Sequence, residues 1–334
     1  MRSRRSHTLT DQHGRTHTYL RLAVTDRCNL RCRYCAPAGL RWRDEADLLA
    51  DDEVFRAARL FAGLGIRKIR LTGGEPTVRP GIERIVQWLA NMPGIETLGM
   101  TTNGTRLREM APSLRKAGLS ATGLNVSLDT LRRERFMEIA GRDVRDDVLD
   151  GIEAALEAGF APVKVNVVVM AGVNDDELDD FVALARERPL KVRFIEYMPF
   201  RDNGWEGERV IPSRVILEAI ARRYPLTRRV SLPVHATTRE YVISGFAGTV
   251  SFVAAISAGF CQGCNRLRVT ADGALKVCLF HPTEVSLRAL MRSGASDEEL
   301  AETIRAALRE KPVGHPSAEN LGQANHRTMI EIGG

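Results

Sequence analysis

No apolar run in this 334-residue chain approaches the roughly 20 residues of a membrane-spanning helix, so an integral helical membrane protein is not expected. Met1-Arg2-Ser3-Arg4-Arg5 is basic, but no apolar stretch follows it. It does not read as a secretory signal, and the expected address is the cytoplasm. No Lys/Arg run carries interleaved aromatics, so no nucleic-acid face is read. The net charge of +6, from 48 Lys plus Arg against 42 Asp plus Glu, is a modest excess that a solvated surface absorbs. It leaves room for a few inward arginines meeting a small polyanion. There is no internal repeat of fixed period and no low-complexity tract. Cysteine is scarce: the six fall in two groups of three, and odd-numbered groups in a non-secreted chain argue for metal rather than disulfides. The remainder, 44% hydrophobic and 27% charged, suits a globular chain with a buried core of one large domain, or a large plus a small one.

The first group is Cys28-x-x-x-Cys32-x-x-Cys35, with Tyr34 before the last cysteine. Three thiolates on one short loop can hold three irons of a four-iron cluster and leave the fourth open, and open coordination is where chemistry happens. A zinc knuckle or three free thiols is the competing reading. The spacing resembles the signature of the radical S-adenosylmethionine (SAM) superfamily.

From Tyr19 to Tyr197 short β-rich runs alternate with amphipathic helical runs. Strands are expected at Tyr19–Val24, Ile66–Leu71, Leu98–Thr102, Gly123–Leu128, Val163–Met170 and Lys191–Tyr197. Helices are expected at Asp51–Ala62, with Gly63 as its cap, and at Ile82–Ala90, Leu107–Ala117, Val148–Ala158 and Asp176–Arg186. This alternation predicts an α/β fold with a parallel sheet, because parallel strands need crossover helices. The rhythm breaks after Asn203-Gly204. Beyond it come a helix at Ser213–Arg222, β-like segments at Glu240–Ser244 and Thr249–Ala255, a hairpin turning on Asp272-Gly273, and a helix at Asp297–Arg309.

The second group, Cys261-x-x-Cys264 and Cys278, flanks that hairpin, which folds the three thiols toward one another. With His281 the set would suit tetrahedral zinc, and spacing alone puts zinc ahead. A second four-iron cluster with an open iron is the alternative, favoured by the first group in the same chain. Arg266 and Arg268 share one face of the hairpin and either make a fork for phosphate or carboxylate or simply mark an exposed hairpin face.

Taken together the motifs resemble the GTP 3′,8-cyclase (molybdenum cofactor biosynthesis protein A) family of radical SAM enzymes. The resemblance rests on Tyr19–Leu22, Thr25–Cys28, Lys68–Pro76, Thr101–Gly104, Asn125–Asp129, Arg193–Met198, both cysteine groups and Gly333-Gly334. It runs from about Leu9 to the end of the chain. It implies an incomplete (β/α)6 TIM-like barrel over residues 1–203, including an N-terminal extension. A C-terminal α+β segment, 204–334, would carry the second Fe–S cluster and close the barrel mouth.

The resemblance also assigns roles. Cys28, Cys32, Cys35 and Cys261, Cys264, Cys278 would ligate two 4Fe-4S clusters. Tyr34, Gly74, Ser127 and Met198 would contact SAM. Arg21, Arg70, Thr101, Lys164, Arg266 and Arg268 would bind GTP, and Gly333 and Gly334 would enter the active site. Bland alternatives stand beside these: loop packing for Tyr34, a tight turn for Gly73–Pro76, a helix cap for Asp129, core for Met198, a frayed end for Gly333-Gly334. Lys164 is equally compatible with an inward and an outward strand position. The implied reaction is radical cyclisation of GTP to (8S)-3′,8-cyclo-7,8-dihydroguanosine 5′-triphosphate, the first step of molybdenum cofactor synthesis. The implied partners are a flavodoxin- or ferredoxin-type reductant and the cyclic pyranopterin monophosphate synthase, for a monomer or homodimer. A peptide-modifying radical SAM maturase and a non-catalytic metal sensor are the rival readings.

Overall fold

The structure is a computed structural model that describes residues 8–229, 238–258, 261–316, 321 and 327–334. The basic Met1–Arg5 stretch and part of the C-terminal tail lie outside the described residues. Two short strands, β1 (Leu9–Thr10) and β2 (Thr16–His17), form an antiparallel hairpin of their own. Six parallel strands then lie side by side in chain order: β3 (Tyr19–Ala23), β4 (Lys68–Thr72), β5 (Thr97–Thr102), β6 (Leu124–Ser127), β7 (Val163–Val169) and β8 (Leu190–Glu196). The intervening helices are α1 (Asp51–Gly63), α2 (Ile82–Ala90), α3 (Leu107–Lys116), α4 (Arg133–Ala140), α5 (Arg145–Glu157) and α6 (Leu178–Leu184).

The segment after residue 203 adds α7 (Ser213–Ala221), then β9 (Leu226–Arg228), β10 (Arg239–Ile243) and β11 (Thr249–Val253). Next come β12 (Arg266–Val269), β13 (Ala274–Lys276), β14 (Val285–Ser286), α8 (Leu287–Arg292) and α9 (Asp297–Arg309). Its strands extend the same sheet at both edges. β11 pairs parallel with β8, and β12 pairs parallel with β3. The full order is β14-β13-β12-β3-β4-β5-β6-β7-β8-β11-β10-β9.

The sheet curls. Arg70 on β4 and Arg193 on β8 feel each other's charge across three intervening strands. On a flat sheet strand spacing would hold their backbones about 19 Å apart. Strand alternation puts Leu20, Leu22, Ile69, Leu71, Val165, Val167, Val192 and Phe194 into the core under the helices. It turns Arg21, Arg70, Lys164 and Arg193 to the concave side. β7 is apolar on one face only, with Lys164 and Asn166 lining the inner side between fully buried valines.

Departures from the sequence reading are local. The left-handed cap after α1 is Gly65, two residues beyond Gly63, which stays helical. α4 was not anticipated, its apolar face being only Phe136, Ile139 and Ala140. α5 starts at Arg145, where Asp146 and Asp147 suit the first turn. The expected Asp176–Arg186 helix is a 3-10 turn followed by the shorter α6. Among the described residues no helix is long and apolar enough to cross a membrane.

Candidate active site

The first cysteine group occupies the loop leaving β3. Cys35 N and Ala36 N both donate to the Cys32 carbonyl at 2.9 Å, closing one tight turn. Leu30 N–H points at Cys28 Sγ from 3.4 Å, and Asn103 Nδ2 lies 3.8 Å from the same sulfur. Burial pushes the Cys28 thiol up to about 11. Burial pushes Cys32 and Cys35 up too, and their neighbouring thiols and Asp129 add to it. Such thiols stay protonated until a metal takes the proton's place, so the donor set suits a metal rather than free thiolate chemistry.

The loop after β4 lies backbone to backbone against the start of this cysteine loop. Gly74 N donates to the Thr25 carbonyl at 2.8 Å and Glu75 N to the Arg27 carbonyl at 2.7 Å. A Cβ at Gly73 would stand 2.2 Å from Thr25 O, and one at Gly74 would stand 2.1 Å from Arg27 O. That contact alone demands both glycines. Glu75 is buried and fully used, accepting from Thr77 N and Oγ1, Thr102 Oγ1 and Asn103 N. It ties the ends of β4 and β5 together.

Tyr34 Oη donates to Asp129 Oδ2 at 2.6 Å, and Val168 N donates to Oδ1 at 2.8 Å. Asp129 is thus no helix cap. It is a buried carboxyl raised to about 6 by burial, against those two hydrogen bonds. Tyr34 lines a small cavity with Cys32, Asn103, Ser127 and Asp129, and also a cleft of about 940 Å³ reaching Tyr197 and Asn203. Met198 packs on an apolar group of Phe200, Phe280, Leu321 and Ile332, to which Cys278 also belongs. Asn103 and Asp129 had no assigned ligand role from sequence. Their signal was position alone, directly beyond the ends of β5 and β6.

Inside the curl a wall of cations faces a shared space. Across the ladders Arg268 stands beside Arg21, and Arg21 beside Arg70; Thr101 stands beside Asn125, and Asn125 beside Lys164. Gly99 leaves room for Arg70, whose Nη2 would lie 2.8 Å from a Cβ there. Arg70 donates to the carbonyls of Met100 and Gly123 and to Tyr19 Oη at 2.8 Å. Lys164 donates to the Thr122 carbonyl, so its inward position is settled. Burial, then Arg70 and Arg193, lower Lys164 to about 7. Burial, against the pull of Tyr19, lowers Arg21 to about 10; burial and Arg70 do the same to Arg193. Burial would raise the Tyr19 phenol, but Arg70, Arg21, Lys68 and Arg266 drive it down to about 6. Among the described residues the buried donors Arg21 Nε, Arg193 Nε and Thr101 Oγ1 have no protein partner here, nor has the acceptor Asn125 Oδ1. Cations crowded together with unused donors fit a polyanionic ligand that supplies the missing acceptors. Lys68, Asn125 and Arg193 join this wall without having been singled out, although period-two spacing from Arg70, Ser127 and Lys191 put them on the same face.

The second group converges as the hairpin requires. Cys261 lies close enough to both Cys278 and Cys264 to feel their charge. Burial works against the Cys264 thiolate, but Lys311 and Arg266 outweigh it and bring the thiol below its ordinary value. Among the described residues no three His, Cys, Asp or Glu side chains gather around a single ion. His281 Nδ1 accepts from Thr283 N at 3.3 Å.

Gly333 and Gly334 are placed and ordered by contacts. Thr328 and Glu331 cap the last helical turn, Met329–Ile332, and Arg327 pairs with Asp272 and Glu284. Ile330 N donates to the Cys35 carbonyl at 3.4 Å. A Cβ at Gly333 would stand 2.6 Å from Ala23 Cβ. The Gly334 oxygen accepts from Arg21 Nη2 and from Arg268 Nη1. The pair thus lies between the first cysteine loop and the cation wall, not at a frayed end.

Comparison with known proteins adds the following. Residues 22–185 match the radical SAM superfamily, and residues 190–317 match the Molybdenum Cofactor Synthesis C family. The chain is 46% identical over 327 residues to the mitochondrial GTP 3′,8-cyclase of Arabidopsis thaliana, covering 98% of this chain and 83% of that protein. It is 48% identical over 325 residues to molybdenum cofactor biosynthesis protein 1 of Bos taurus, covering 97% of this chain but about half, 51%, of that longer protein. Among solved structures, Streptococcus suis SuiB bound to S-adenosylmethionine superposes with a TM-score of 0.58 at 14% identity, over 96% of this chain and 73% of that one. The last likeness speaks to the fold alone.

Proposed function

This chain belongs to the GTP 3′,8-cyclase family, and from that premise we propose that it cyclises GTP to (8S)-3′,8-cyclo-7,8-dihydroguanosine 5′-triphosphate, the first committed chemistry of molybdenum cofactor synthesis. The observation that carries the proposal is the wall of cations and unpartnered donors, with the tail that touches Cys35 resting on Arg21 and Arg268, and Arg266 near Cys264.

In this reading the curled sheet is the incomplete (β/α)6 barrel, residues 1–203, and residues 204–334 bring the second cluster to its mouth. Cys28, Cys32 and Cys35 hold one 4Fe-4S cluster, and Cys261, Cys264 and Cys278 hold the other. When bound there and given an electron by the reductant, the first cluster together with SAM would supply the radical chemistry that removes a hydrogen atom from the substrate. Tyr34, Gly74, Ser127 and Met198 hold SAM. Arg21, Arg70, Thr101, Lys164, Arg266 and Arg268 hold GTP. Arginine forks and the Lys164 ammonium neutralise the triphosphate, and their own crowding falls once the anion arrives. That fixes ribose C3′ for loss of its hydrogen and guanine C8 within reach of the new C–C bond. Gly333 and Gly334 meet the substrate at Arg21 and Arg268, the arginines that the Gly334 oxygen already contacts. The buried surroundings keep water from the reacting carbon. A flavodoxin- or ferredoxin-type reductant, the cyclic pyranopterin monophosphate synthase downstream, a monomer or homodimer, and a cytoplasmic address complete the reading.

The test is anaerobic turnover with reductant, SAM and GTP deuterated at ribose C3′. Deuterium in the released deoxyadenosine is the expected result. Deoxyadenosine free of deuterium, formed no faster with GTP than without, would sink the cyclase reading.

A further inference from the structure

The N-terminal hairpin and the residues after α9 meet the second cysteine group through contacts that the cyclase reading does not use. Lys311 is only 2% exposed. Its Nζ lies 3.6 Å from Cys264 Sγ and donates to the Arg266 carbonyl at 2.8 Å. No carboxylate among the described residues forms an ion pair with it. A buried ammonium needs an anion, and the atom placed to serve is the Cys264 sulfur.

The lysine is also held in place. Arg15, 8% exposed, donates to the carbonyls of Cys261 at 2.8 Å, Pro312 at 2.7 Å and Val313 at 2.9 Å. Asp11 Oδ2 accepts from Arg15 Nε at 2.6 Å, and Gln12 Nε2 reaches the Lys311 carbonyl at 3.4 Å. Residues 11–15, the Cys261 turn and residues 311–313 thus form one hydrogen-bonded block.

We propose that Lys311 is the charged hydrogen-bond donor that tunes the second iron–sulfur cluster, held in position by Arg15 of the N-terminal hairpin. The inference rests on the two-cluster reading given above. Three thiolates leave such a cluster negative, and each added electron makes it more so. An ammonium at a ligand sulfur stabilises the reduced form more than the oxidised form and raises the reduction potential. Lys311 is a positioning residue by this argument, acting through Cys264.

The experiment is a potentiometric titration followed by electron paramagnetic resonance on the anaerobically reconstituted full-length chain. Cys28→Ala, Cys32→Ala and Cys35→Ala are present together, so that only the second group signals. Iron and sulfide are counted in each sample. Lys311→Met is expected to make one-electron reduction about tenfold less favourable, a downward shift of ~59 mV, whereas Lys311→Arg keeps most of the wild-type value. A Lys311→Met chain with a full iron complement and an unshifted midpoint overturns the proposal. Should Lys311→Met fail to load iron, Lys311→Gln decides: a lowered midpoint supports the proposal and an unchanged one overturns it. If the triple-alanine parent binds no iron while the unmodified chain binds four per protein, the two-cluster reading falls and takes the inference with it.

Discussion

Apart from the neighbouring thiols of each group, the charges acting on the sulfurs around Cys28, Cys32 and Cys35 are the carboxyls of Glu75 and Asp129, with Arg31 opposing at Cys28. Around Cys261 and Cys264 they are the cations of Lys311, Arg266 and Arg15. Two groups of three cysteines, similar in sequence, therefore sit in opposite electrostatic surroundings. Negative surroundings make a cluster harder to reduce and its electron more forceful once loaded. Positive surroundings make reduction easier and, on the two-cluster reading proposed above, would welcome an anion beside the second group. On these terms the acidic neighbourhood suits cleavage of a sulfonium and the basic one suits seating a nucleotide.

The sharpest way to break this division is to remove one ligand from each group. Cys32→Ala is expected to abolish SAM cleavage. Cys264→Ala should still release deoxyadenosine slowly without GTP, yet form no cyclic product. Equal loss of deoxyadenosine in both variants, followed by chromatography, would dissolve the division.

A smaller effect is expected from charge alone. Asp129→Asn removes the buried carboxyl beside the first group and the acceptor of the Tyr34 hydroxyl. It should raise the first cluster's potential, opposite in sign to Lys311→Met at the second, and slow SAM cleavage by about 10–100-fold, as loss of an outer partner typically does. Spectroscopic titration of both variants reads the two signs side by side.

The mildest test is pH. Lys164 is lowered to about 7 in the ligand-free protein, chiefly by burial. A bound triphosphate would raise it again, so binding takes up a proton above pH 7, and GTP affinity should fall as pH rises through that point. Stability of the ligand-free protein should move the other way. Between about 7 and the ordinary lysine value the unfolded chain binds more protons, so stability rises with pH over that window. Calorimetry in two buffers of different ionisation enthalpy measures the proton uptake, and Lys164→Met should remove it.

Much of this could be read before any fold was seen. The helix at Asp297–Arg309 lies where its sequence puts it, with Ser296 and Glu299 forming the capping box. The strand cores fall within a residue or two of expectation, because apolar alternation marks them well. The short helix α4 escaped because three apolar residues on a weak face do not rise above the loop around them. The full extent of the concave wall escaped for a different reason: Arg21, Arg70, Thr101 and Lys164 were assigned by the resemblance, whereas Lys68 and Arg193 were not. Period-two spacing shows that Arg70 and Lys68 share a face, but only the curl of the sheet brings Arg193 to Arg70, and curvature has no local signature. Asp129 shows the same limit: its neighbours Tyr34 and Val168 come from distant loops and strands, so a helix cap was the natural local expectation.

The pairing of β12 with β3 has a consequence for how the chain is made. Arg15 waits for the Cys261 carbonyl across 246 residues of chain, and β3 waits for β12 over a similar span. At ~5–20 residues per second, that is roughly 12–50 s of synthesis during which the edge of β3 has no partner strand. An apolar strand edge left open that long can pair with another copy of itself. Arg21 puts a charge on that otherwise apolar strand, a feature of the kind that discourages edge-to-edge pairing before residues 266–269 are made.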